Sequence, residues 1–149
     1  MTRAGSDESE PQHRDLVRLL AYWRGKLGAR AFPRRADIDP LDLGFMLDRI
    51  ALTEVHEEPR RYRLRLVGTW WKTLVGFEST GMWLDDWPHP NQRRMTSDSY
   101  DAVVAARRPM WSVRDVWMDD KKLSHEILWL PLSEDESRIS MIVTGIGPA

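Results

Sequence analysis

The chain has 149 residues, 30% of them charged, and a formal net charge of −1. That length fits one domain around one hydrophobic core, and the balanced charge gives no electrostatic basis for nucleic-acid or anionic-membrane binding. There is no cysteine, which excludes disulfides, thiolate catalysis and cysteine-ligated zinc or iron–sulfur centres. No apolar run reaches transmembrane length, and the polar start lacks the apolar segment of a signal peptide. The expectation is a cytoplasmic protein without membrane insertion. Eight tryptophans read mainly as core fillers, with some available to a pocket or an interface.

Residues 1–11 are small, polar and acidic and read as a disordered tail. A helical extension is predicted over residues 12–48. In "HRDLVRLLAYWRGKLG", Leu16, Leu19, Leu20, Trp23 and Leu27 recur at spacings of three and four, and Gly28 reads as the stop. Asp39 and Pro40 suit the cap and first position of a short helix reaching Leu47. The remaining residues, 49–149, form the core domain. "DRIALTEVHE" reads as a strand, "EEP" as a turn and Arg61 to Val67 as a second strand. Tyr62, Leu64 and Leu66 there alternate with Arg61, Arg63 and Arg65. Gly68 breaks the strand, Thr69 is expected to cap a helix over Trp70 to Val75, and Gly76 ends it. A loop, "WLDDWPHP", leads to a longer helix from Asn91 to Arg107, with Met95, Ser99, Ala102, Val103 and Ala106 on one stripe. Three strands finish the chain: Met110 to Met118, Leu123 to Leu132 and Arg138 to Ile146, joined by polar hairpin turns.

The last strands are apolar on both faces. Leu128, Leu130 and Leu132 make one side, Ile127 and Trp129 the other. A large bare apolar face is rare on a monomer. The amphipathic first helix is the obvious cover, within its own chain or across a homodimer. The candidate interface is therefore Leu16, Leu19, Leu20, Trp23 and Leu27 with Ile127 and Trp129.

Two strands, small helices, a longer helix and three strands is the element order of a PAS domain. The stretches "YW" (22–23), "PRRADIDP" (33–40), "YRLRLVGT" (62–69), "GFESTG" (76–81) and "LWLPL" (128–132) occur in the right order. Through them the chain resembles the single-domain PAS-like proteins of alphaproteobacteria. The resemblance implies an α+β fold: a five-stranded antiparallel sheet, small helices on one face and an N-terminal amphipathic helix. It also implies that Trp70 and Trp71 begin the wall of an internal cavity, although bulky aromatics equally suit plain core packing.

No nucleophile-elbow, P-loop, dinucleotide-binding, zincin or EF-hand pattern is present, and no enzymatic activity is expected. Asp85, Asp86 and His89 could offer metal ligands, but a solvated loop explains them as well. Flavin photochemistry of the LOV type needs a cysteine and is excluded. Haem-binding PAS domains place a histidine on the long helix. Asn91 to Arg107 has none, so haem is disfavoured, and the identity of any cofactor stays open. A small organic ligand remains, with Arg65, Trp70, Trp71, Trp83, Trp87 and Met95 as the candidate pocket. Arg34 and Arg35 could pair with Asp37 or Asp39, or contact a partner. With the chain ending shortly after its last strand, the expectation is a sensory or regulatory module that acts in trans on a signalling protein. The alternatives are a filled-core adaptor without ligand, and a small carrier or enzyme built around His89, Asp86 and Arg65.

Overall fold

The computed structural model describes residues 3–4, 10–118 and 120–148. Most of the predicted disordered tail lies outside these residues. Arg3–Ala4 form a two-residue strand, β1, and Pro11 is buried at the approach to the first helix.

That helix, α1 (Arg14–Gly25), starts at His13, whose Nδ1 accepts the Asp15 amide at 3.1 Å. It ends before Gly28, because the Lys26 amide bonds to the Trp23 carbonyl and tightens the last turn. The short helix predicted from Pro40 is two 3-10 turns, Pro40–Leu43 and Leu47–Arg49, the first capped by Asp39 on the Leu41 amide. Strands β2 (Ile50–His56) and β3 (Arg61–Val67) form the predicted hairpin. Then come α2 (Thr69–Val75), α3 (Pro90–Ala106), β4 (Met110–Met118), β5 (Lys121–Leu132) and β6 (Met141–Pro148). Strand β6 begins later than Arg138, because Asp135 accepts the amides of Ser137 and Arg138 and keeps them in the turn.

The glycine between β3 and α2 has a steric cause. A Cβ on Gly68 would stand 2.2 Å from the Asp48 carbonyl oxygen. Gly68 rather than Thr69 occupies the cap position of α2, with no side-chain cap. Its missing side chain lets the chain turn directly under the 3-10 turn at Leu47–Arg49. Trp71 then locks that approach by donating from Nε1 to the Arg49 carbonyl at 2.8 Å.

The sheet is antiparallel, in the order β1-β4-β5-β6-β2-β3. Its five long strands are the predicted sheet, and β1 adds to the free edge of β4. One face carries Leu128, Leu130 and Leu132 of β5 beside Gly145 and Val143 of β6. Helix α1 covers this face from its own chain. Leu16, Leu19, Leu20 and Trp23 are all buried there, each worth about 1.5–3 kcal/mol relative to exposure. Gly145 makes the close approach possible, since a Cβ there would meet Leu19 Cδ2 at 2.7 Å. Trp23 Nε1 donates to the Pro131 carbonyl at 2.9 Å. The buried Glu126 carboxylate accepts the backbone amides of Gln12 and His13 at 2.7–2.9 Å. Arg49 pairs with Asp15 at 2.6 Å.

Two predicted interface residues belong to the other face. Ile127 and Trp129 alternate with the α1-facing leucines and point to the side of α2 and α3. The pleat assigns them there, because Glu126, Leu128 and Leu130 take the α1 side.

Candidate functional site

Helix α3 meets the inner face of β4 and β5 over a gap. Ser99, Ala102 and Val103 lie on one stripe of α3, and the first two are too small to reach the sheet closely. Met110, Ser112 and Arg114 alternate along β4 and face them, and Trp129 of β5 closes the side. These residues line a partly open cavity of about 150 Å³. Ser99, Ala102 and Arg114 also line an open cleft of about 290 Å³, with Met95 and Asp98 at its rim.

Arg114 dominates the electrostatics. Its Nη2 donates to Ser99 Oγ at 2.7 Å, and its guanidinium lies 5.0 Å from the Trp129 ring centre. Among the described residues no carboxylate pairs with it. Burial alone pushes its pKa below the usual arginine range. A half-buried cation held by one hydroxyl and one ring is under-compensated. Ser112 on the same strand face is 5% exposed, and its Oγ has no hydrogen-bond partner. His125, the register partner of Arg114, is buried with Nδ1 unpartnered, and desolvation lowers its pKa. The indole nitrogens of Trp70 and Trp87 are likewise buried and unpartnered. Orphaned buried polar atoms are rare in folded proteins, and several of them lie on this side of the sheet.

The predicted pocket residues are dispersed. Arg65 is exposed on β3, because Tyr62 and Leu64 take the buried phase of the alternation. Trp70 is half-buried with its ring 6.0 Å from His125. Trp71 is committed to the Arg49 carbonyl. Trp83 lies against the guanidinium groups of Arg61 and Arg63, at 4.0 and 5.6 Å. Trp87 is buried edge-on against Phe77. Met95 is exposed at the mouth of the Arg114 cleft. Of the six, the structure therefore brings Met95 alone to the rim of this pocket.

The other candidates have local roles. Asp85 accepts from Arg61 at 2.6 Å, and Asp85, Asp86 and His89 are all exposed. Asp37 accepts the Arg34 amide, and Arg35 donates to the Ile38 carbonyl, so these residues shape their own turn. The sequence reading passed over Arg114 and Ser112. A signal existed: the phase Met110, Ser112, Arg114 places a lone arginine on a strand face that its apolar neighbour β5 requires to be buried.

Known proteins share this fold. A family model described as a PAS domain matches residues 11–146. The PAS domain of BvgS from Bordetella pertussis superposes with a TM-score of 0.51 at 15% identity, covering 89% of this chain and 87% of that one. An RNA-binding light-oxygen-voltage receptor gives a TM-score of 0.49 at 11% identity, over 99% of this chain and 38% of that one. A fungal LOV domain photoreceptor gives 0.45 at 15% identity, over 91% and 92%. No curated protein matches. Among the described residues no helix is long and apolar enough to cross a membrane. The chain belongs to the PAS domain family.

Proposed function

We propose that this chain is a cytoplasmic sensory module that takes a small ligand in the cavity between α3 and β4. Ligand occupancy then alters the docking of α1, through which the module engages a signalling protein in trans. The observation that carries the reading is the under-compensated, half-buried Arg114 beside the unpartnered Ser112 hydroxyl, both lining one cavity. A filled-core scaffold has no use for such groups, whereas a ligand would satisfy them. Coupling to α1 requires two states of different partner affinity. Residues of α1 cover the sheet within their own chain, so homodimer formation would use other surfaces or a displaced α1.

Native mass spectrometry on protein purified from its own source tests this. A mass excess that disappears on denaturation is the expected result, and it identifies the ligand by mass. A bare mass at every protein concentration, with no added metabolite retained, would instead support the adaptor without ligand. The same spectra report monomer or dimer.

A further inference from the structure

We propose that the cavity between α3 and β4 is a receptor for a small organic anion, a carboxylate carried on a single ring or a short apolar chain. The proposal rests on the ligand-binding reading above and names the ligand class.

The charge comes from Arg114. A guanidinium presents five N–H donors in a planar fork, and Ser99 Oγ takes one of its nitrogens. The side chain lines both the cavity and the adjoining open cleft, so a group entering through the cleft meets it. A carboxylate accepts two parallel bonds from such a fork, the strongest pairing available to an uncharged-ring acid. Ser112, two residues along the same strand face, carries a buried hydroxyl without a partner and supplies a further donor. Among the described residues, Asp98 is the only acid lining the cleft; it does not line the cavity and forms no ion pair with Arg114. A metal ion or an organic cation is therefore repelled. An anion gains what the fold leaves unmet.

The rest of the lining sets the body of the ligand. Ala102, Val103 and Trp129 are apolar, and a wall of that kind favours a ring or chain over a bare inorganic ion. The size agrees. A cavity of about 150 Å³ is the volume that accepts one benzene ring in an engineered protein interior, and this cavity measures about 150 Å³.

Isothermal titration calorimetry of the full chain with benzoate and with its neutral isostere benzamide tests the proposal. Benzoate is expected to bind, and benzamide at least about tenfold more weakly. Arg114→Met keeps the length of the side chain and is expected to abolish the preference for benzoate. Ser112→Ala leaves Arg114 in place and is expected to weaken benzoate several-fold. Thermal unfolding of both variants is measured alongside, so that a misfolded Arg114→Met leaves Ser112→Ala to decide. Benzamide binding as tightly as benzoate overturns the anion assignment, and so does undiminished benzoate affinity in both variants. Failure of benzoate to bind the wild-type chain overturns it too. A neutral molecule retained in native mass spectrometry sinks this proposal while the sensory reading stands. Absence of any retained or added ligand sinks both.

Discussion

Glu126 has a carboxylate that is 2% exposed and has no basic side chain as its partner among the described hydrogen bonds. Its oxygens instead take the amides of Gln12 and His13, which precede the first turn of α1 and have no intrahelical acceptor. Hydrogen bonds to a charged acceptor are the strong ones, and losing one partner strands the others. Glu126→Ala is expected to cost about 2 kcal/mol, read from the urea midpoint. Glu126→Gln keeps one acceptor oxygen and costs less. Equal midpoints for wild type and Glu126→Ala would remove this capping role. His125, next along the strand, behaves oppositely. Burial lowers its pKa from the ordinary 6.5, so the unfolded chain binds the proton more readily than the folded one. Its contribution is therefore fully present above about pH 6.5 and declines as pH falls below that value, by at most about 1.4 kcal/mol per pH unit. Urea midpoints between pH 7.5 and 5.5 should fall in the wild type and fall less in His125→Gln. Parallel pH profiles would show that this histidine is solvated.

Helix α1 is the element where sequence and structure part most instructively. Its apolar stripe was legible, because Leu16, Leu19, Leu20 and Trp23 recur at helical spacing, and all four are buried. The face it covers was not. Both phases of β5 are apolar, so periodicity alone could not say whether Leu128 or Trp129 meets the helix. The answer depends on Gly145 and Gly147 of the neighbouring strand, where added Cβ atoms would collide with Leu19 and His13. The expectation that Leu19 and Trp23 hold a partner or a second copy now has a competing demand on the same side chains. Leu19→Ala is expected to destabilise the chain by about 2–5 kcal/mol, measured by urea unfolding. A change below about 0.5 kcal/mol would mean that α1 is not docked in solution. Removing residues 1–25 should bare Leu128, Leu130, Leu132 and Val143, and light scattering should then report self-association.

Across the whole molecule, the order of elements and most boundaries could be read from the chain because they follow from alternation, capping and turn residues. Two boundaries moved for different reasons: Gly68 is set by the distant Asp48 carbonyl, and the start of β6 by the local turn in which Asp135 accepts the Ser137 and Arg138 amides. The cavity was less legible. Tryptophans were the natural candidates for its wall, yet Trp71 and Trp83 are engaged by Arg49 and by the arginines of β3. The space arises where small residues of α3, Ser99 and Ala102, oppose an arginine on β4. Ser99 and Ala102 are ordinary residues on a helix, so only the phase of Arg114 on β4 hinted at the space.

Strand β5 also acts as a partition one residue thick. His125 and Trp129 stand in one compartment, Glu126 and Leu128 in the other. Its neighbours β4 and β6 hold it along both edges, so it cannot slip by one residue without exchanging every side chain between the two compartments. The side chain that borders the cavity and the one that packs under α1 are therefore separated by a single peptide unit.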